Sequence, residues 1–167
     1  MERKQIAIIG TNFAGYTAAI ELKELVGDNH DVTVIANTHK FLFFPSLIWY
    51  PFGLREEKDI TFDVRPIYKA HNINFIEAEV ERFDLDANLV MIKDHDPVRY
   101  DYIMIGTGPK VDYDYIPGLR EHSHSIVGLG VAQKTREAWT KFLKDPGPIV
   151  IASAQGAACF GAAYEFL

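Results

Sequence analysis

Residues Gln5 to Leu22 read QIAIIGTNFAGYTAAIEL, and no other stretch constrains the fold as tightly. Ile6 to Ile9 is a short, fully apolar run with β-branched residues, the signature of a buried strand. Gly10 to Gly15 follow, and then Phe13, Tyr16, Ala19 and Ile20 recur at helical spacing. A strand, a tight turn and a helix are therefore expected in immediate succession. The helix N-terminus directs free N–H groups and a positive dipole end at whatever lies above it, which favours a phosphate. The dinucleotide-binding fingerprint is Gly-x-Gly-x-x-Gly/Ala. Gly10 and Gly15 match its first and third positions, and Asn12 replaces the middle glycine. Asn tolerates left-handed backbone angles better than most residues, so the turn is expected to form. Gly10, Asn12, Phe13, Ala14 and Gly15 are the candidate cofactor contacts here. The alternative is an ordinary strand–helix turn that contains two glycines.

The rest of the composition narrows the classes. A chain of 167 residues, nearly half of them apolar, is enough for one domain, or one and part of another. The net charge of −6 and the lack of a basic stripe argue against nucleic acid as a partner. No run is long and apolar enough to span a bilayer. The opening MERKQIAI enters a strand without an apolar signal segment, which places this half of the protein on the cytoplasmic side as an expectation. The single cysteine, Cys159, excludes a disulfide within the chain. The last residues, Tyr164 to Leu167, read as helix with no stop signal, so the chain is expected to be a piece of a longer protein.

Taken in order, Gly27-Asp28-Asn29 stops the first helix, and His30 to Ala36 alternates into a β-branched strand. Together these make a right-handed βαβ unit. An acidic residue at the end of that second strand ordinarily grips the ribose hydroxyls. The position holds Ala36 and Asn37, of which Asn37 can still hydrogen-bond a ribose. Phe41 to Gly53, FLFFPSLIWYPFG, is either a loop capping the core or a loop folded over an aromatic ring system, with Pro45 fixing the backbone and Ser46 offering a polar atom. Ile60 to His71 reads as a helix carrying Arg65 and Tyr68, and Asn74 to Ala78 as a third parallel strand. Glu81 to Ile92 reads as an antiparallel meander turning at Asp86 to Asn88. Tyr100 to Pro109 leads an apolar strand to Gly106-Thr107-Gly108, where glycines at a sheet's C-terminal edge let a ligand approach the backbone. Lys110 to Leu119 reads as a linker, and His122 and His124 as a solvated loop rather than a metal pair, so no metal site is expected. Gln133 to Lys144 is an amphipathic helix, and Ile149 to Leu167 repeats the opening theme of strand, small-residue turn and helix. The expected fold class is therefore α/β. It consists of a Rossmann-like parallel sheet with an antiparallel meander (residues 1–111), then a linker, a helix and the start of a second Rossmann-like module (112–167).

This order of pieces resembles the two-dinucleotide-binding-domain flavoproteins. Within them it resembles the sulfide:quinone oxidoreductases, carried by Phe44-Pro45-Ser46, Asp59-Ile60, Tyr100-Asp101-Tyr102, Thr107 to Lys110, Gly147 to Ile151 and Gly156 to Gly161. The resemblance implies FAD as cofactor, with Pro45, Ser46, Val80, Thr107, Gly108 and Pro109 joining the residues of the opening turn and Asn37 around it. It implies that Cys159 is one of two sulfide-reactive cysteines, the partner lying beyond Leu167. Hydrosulfide would attack a disulfide or persulfide at Cys159, and two electrons would pass by way of the flavin to a quinone. A thiol at such a turn gains from backbone N–H groups and the helix dipole; the bland alternative is an inert buried cysteine. Ser125 to Leu129 lacks the further cysteine of some members, which leaves the subtype open. The resemblance also implies peripheral membrane contact through a later segment, and admits a homo-oligomer. Glu165 either complements the dipole of the last helix or relays protons. Two other classes compete: a type II NADH dehydrogenase-like flavoprotein, and a nucleotide-binding piece without activity of its own.

Overall fold

The computed structural model describes residues 2–157 and 159–167, so Met1 and Ala158 of the quoted segments lie outside the described residues. In chain order the elements are β1 (Gln5–Ile9), α1 (Phe13–Val26), β2 (Asp31–Ala36), β3 (Lys40–Leu42), α2 (Glu57–Ile60), β4 (Thr61–Asp63), α3 (Arg65–Ala70), β5 (Asn74–Glu77), β6 (Val80–Asp84), β7 (Leu89–Ile92), β8 (Val98–Arg99), β9 (Tyr102–Ile105), α4 (Leu119–His122), α5 (Leu129–Phe142) and α6 (Gly161–Glu165). They form two compact units, one of Met1–Leu42 with Thr61–Lys110 and one of Phe43–Ile60 with Val111–Leu167.

The first unit is built on a four-stranded sheet in the order β5-β2-β1-β9. Every pairing in it is parallel, with Ile6 opposite Val32 and Tyr102, and Thr33 opposite Asn74. Parallel sheets are covered on both faces, so their strands are apolar throughout rather than alternating. Here Ile8, Val32 and Val34 face one side and pack with Ala19 of α1, Tyr68 of α3, Phe41 and Val64. Ala7, Ile9 and Ile35 face the other and pack with Val90, Ile92 and Tyr100. That second face is covered by the antiparallel sheet β6-β7-β8, which is the expected meander. All four parallel strands point their C-terminal ends at one edge. β1 is flanked on either side by strands reached through separate connections, which is where ligands settle in open α/β sheets.

The helix expected over Ile60 to His71 is replaced by three elements. Ile60 ends α2, Thr61–Asp63 is β4 paired antiparallel with β3, and only Arg65–Ala70 is helical. The pairing stacks Phe62 on Phe41, ring centroids 4.7 Å apart, and Tyr16 meets both rings edge-on. Those long-range contacts outweigh local helix propensity. Pro66 sits in the first turn of α3, where its missing N–H costs nothing.

In the second unit, residues 44–48 form a 3-10 turn in which Ser46 and Leu47 are buried. Arg136 of α5 donates to both carboxylate oxygens of Glu56, at 2.6 and 3.0 Å, and lies over the Tyr50 ring. Phe52 meets Trp139 and Phe166 edge-on. The amphipathic helix begins at Leu129, four residues earlier than its sequence pattern suggests. The strand expected over Ile149 to Ala152 does not form: these residues pair with no other strand among those described, and Val150 is 90 % exposed. A parallel strand is held by neighbours on its flanks, and this run has none here. α6 does follow, but Glu165 is its last residue, so it cannot complement an N-terminal dipole.

Candidate functional site

The turn between β1 and α1 is held by backbone packing. Gly10 has φ +101°, and a β-carbon there would run into the carbonyl oxygen of Gly106. A β-carbon on Gly15 would strike the Gly10 carbonyl, 2.7 Å from its carbon, and one on Gly106 would lie 3.2 Å from the Gly15 nitrogen. Three backbones thus meet at the C-terminal edge of the sheet, and only glycine allows this. The Gly10 N–H donates to the Ile35 carbonyl at 2.8 Å, and the Gly106 N–H to the Ile9 carbonyl at 2.8 Å, tying the turn to β2 and β9. Gly106, which the sequence marked as a glycine at the sheet edge but not as a cofactor contact, belongs to this core. Its position directly after an apolar strand was the available signal.

Asn12 is the N-cap of α1, with φ −94° and ψ −164°. This is extended backbone, so the left-handed tolerance of Asn is not what the turn uses. Its side chain makes no capping hydrogen bond, and its Oδ1 is buried without a partner. A buried acceptor of this kind is costly unless a donor completes it. With no side-chain cap, the first turn of α1 keeps its N–H groups directed beyond the helix end. The helix contributes its positive dipole end at the same point. Thr11, between the two, is buried, and its hydroxyl is within 2.7 Å of the Tyr68 hydroxyl of α3. Burial pushes the Tyr68 pKa up, against a smaller lowering by Thr11. No sequence pattern pointed to this pair.

Gly10, Asn12, Phe13, Ala14, Gly15, Asn37, Val80, Thr107, Gly108 and Pro109 all belong to the first unit. Gly10, Ala14 and Gly15 are brought against Gly106 and Thr107. Asn37 is exposed directly after β2, and Thr107, Gly108 and Pro109 are exposed after β9, both at that edge of the sheet. Val80 opens β6, three residues past the end of β5. Pro45, Ser46 and Cys159 belong to the second unit. Pro45 is exposed and Ser46 is buried in the 3-10 turn. Cys159 is exposed rather than an inert buried thiol, and its sulfur accepts a hydrogen bond from the Gly161 N–H at 3.4 Å. Among the described residues no group of three metal-ligating side chains occurs, and no helix is long and apolar enough to cross a membrane.

A family model described as pyridine nucleotide-disulphide oxidoreductase matches residues 4–154. The chain belongs to that family. Among curated members it is 34 % identical over 163 residues to a sulfide-quinone reductase of Aquifex aeolicus, covering 98 % of this chain and 37 % of that protein. It is 30 % identical over 145 residues to the external NADH-ubiquinone oxidoreductase 2 of Saccharomyces cerevisiae, covering 81 % of this chain and 26 % of that protein. The solved structure of the Aquifex aeolicus sulfide:quinone oxidoreductase superposes with a TM-score of 0.92 at 34 % identity, over 98 % of this chain and 38 % of that one. The chain therefore spans between about a quarter and little more than a third of the length of these oxidoreductases. The fold class read from the sequence agrees with that superposition in its parallel sheet and meander.

Proposed function

We propose that this chain is the nucleotide-binding portion of an FAD-dependent sulfide:quinone oxidoreductase. The observation that carries the cofactor is the turn itself. Three glycine backbones make room, an uncapped helix end offers N–H groups, and the orphaned Asn12 Oδ1 awaits a donor such as a ribityl hydroxyl. These residues fit a dinucleotide. In this reading Gly10, Phe13, Ala14 and Gly15 hold the diphosphate, Asn37 and Val80 the adenosine end, and Thr107, Gly108 and Pro109 the flavin end; Pro45 and Ser46 are proposed as further cofactor contacts. When bound, FAD supplies the two-electron chemistry. The likeness to the Aquifex aeolicus protein, whose name carries both substrates, supports sulfide as donor and quinone as acceptor.

Cys159 is proposed as the residue that handles sulfur. Its exposed position would leave a disulfide or persulfide at Cys159 open to attack by hydrosulfide, and the Gly161 N–H donates to Sγ at 3.4 Å. Cys159→Ser in the full-length protein is expected to abolish sulfide-dependent quinone reduction while leaving flavin absorbance intact; unchanged turnover would remove the residue from the mechanism. In the longer protein we place this portion on the cytoplasmic side of a membrane, held peripherally by later residues, with self-association left to the same full-length protein.

The 30 % identity to the yeast NADH-ubiquinone oxidoreductase favours a second reading, a flavoprotein reduced by NADH. Stopped-flow flavin reduction separates the two: bleaching by sulfide supports the first, bleaching by NADH alone the second. A colourless preparation of the 167-residue chain after incubation with FAD would show that this portion does not hold the cofactor by itself.

A further inference from the structure

We infer that Glu77, at the end of β5, supplies the ribose-binding carboxylate that the end of β2 lacks. The inference rests on the dinucleotide reading of the β1–α1 turn and names a residue that reading did not include. An acidic side chain at the end of the second strand ordinarily receives the ribose hydroxyls. Here that strand ends at Ala36, whose buried methyl group offers no acceptor. The residue directly across from Ala36 in the neighbouring parallel strand is Glu77. Paired residues of adjacent strands project to the same face of a sheet, with strands about 4.8 Å apart. A glutamate side chain reaches across that distance. The two strands are locked in this register by the Ala78 N–H, which donates to the Ala36 carbonyl at 2.8 Å.

The carboxylate is also aimed. His39 Nδ1 lies 2.8 and 3.1 Å from the two Glu77 oxygens. His39 is itself held, because its carbonyl accepts the Val64 N–H at 3.0 Å just before α3. Nearby, Arg65 donates to both Asp63 oxygens at 2.6 to 3.0 Å. A carboxylate offers about four lone-pair positions. One imidazole leaves room for a pair of vicinal hydroxyls. The Glu77 side chain remains 41 % exposed, on the edge of the sheet that carries the glycine turn. The ligand class this selects is an adenine nucleotide with both ribose hydroxyls free, and a 2′-phosphate would meet like charge.

The test is calorimetric titration of the chain with FAD, ADP and 2′-deoxy-ADP. The unsubstituted chain should bind ADP about tenfold more tightly than 2′-deoxy-ADP, the worth of a charge-assisted hydrogen bond. Glu77→Ala should weaken FAD and ADP by about the same factor and bind ADP and 2′-deoxy-ADP equally. Ala36→Asp added to Glu77→Ala should restore the discrimination by returning a carboxylate to β2. A Glu77→Ala chain that melts earlier yet keeps the ADP to 2′-deoxy-ADP ratio shows a structural role and overturns the inference, as does a ratio of one in the unsubstituted chain. If neither the unsubstituted chain nor the full-length protein stripped of its cofactor binds FAD or ADP, the dinucleotide reading of the turn is the one that fails.

Discussion

Tyr68 shows how one side chain can hold the glycine turn without touching a ligand. Its ring is fully buried among Val64, Phe75 and Tyr16, and its hydroxyl meets the Thr11 hydroxyl in the turn. Tyr68→Phe keeps the ring and strands the buried Thr11 oxygen, so it should cost about 1–2 kcal/mol in urea unfolding. Truncation to Ala should cost about 3–5 kcal/mol through the cavity as well. Glycines give a sharper contrast. Gly15→Ala places a methyl against the Gly10 backbone, which cannot yield, and should abolish FAD and ADP binding. Gly130→Ala, in open space within α5, should be neutral or raise stability by up to about 1 kcal/mol. Thermal melts and nucleotide titrations on the two variants check this pair. Gly10 and Gly15 were legible in the sequence because their spacing follows from the turn. Thr11–Tyr68 was not, since 57 residues separate the partners and neither belongs to a pattern.

At the scale of elements, strands declared by continuous apolar runs were readable and those made by pairing were not. The interior residues of β1 and β2 are apolar or β-branched because both faces are covered, and β9 is an apolar run although it lies at the sheet edge with Tyr102 and Ile105 exposed. β4 has three residues and exists only because β3 lies beside it. The register of β1 against β2 has its own electrostatic fastening. Arg3, just before β1, donates through Nε and Nη2 to Asp31 at 2.8 and 2.5 Å, and the Gln5 amide donates to the same carboxylate at 2.7 Å. The Arg3 hydrogen bond foremost, then that from Gln5, hold the Asp31 pKa down at about 2, against 3.8 ordinarily. A lowered folded-state pKa means the stabilisation is complete above about 3.8 and is lost as pH falls toward 2. Asp63, lowered to about 2 by its Arg65 hydrogen bonds, acts in the same window. The urea midpoint should therefore drop between pH 4 and pH 2, in rough terms. Asp31→Asn should start lower at neutral pH and fall less steeply, with Asp63 accounting for part of the slope that remains. An equally steep fall in the variant would remove Asp31 from the acid response.

Across the whole molecule, the two halves of the sequence promised the same motif, and only the first delivers it. QIAII and IVIA are equally apolar and β-branched, so local propensity cannot tell them apart. β1 lies between β2 and β9 and is paired along its length on both sides, whereas Ile149 and Val150 are 54 % and 90 % exposed. A strand is a property of its neighbours, and the 34 %-identical Aquifex aeolicus relative is nearly three times as long as the matched segment. The difference has a direct readout in amide hydrogen exchange. Protection follows backbone hydrogen bonding and burial. Amides of Ile6 to Ile9 and Val32 to Ile35 should exchange only through global or near-global opening. Those of Val150 to Ala152 should exchange close to unstructured rates in the 167-residue chain, and become protected in a longer protein that supplies flanking strands. Strong protection of Val150 to Ala152 in the 167-residue chain would mean that a partner strand exists for this run, either from elsewhere in the chain or from a second copy. Concentration-dependent exchange would separate those two sources, since pairing with a second copy weakens on dilution and internal pairing does not.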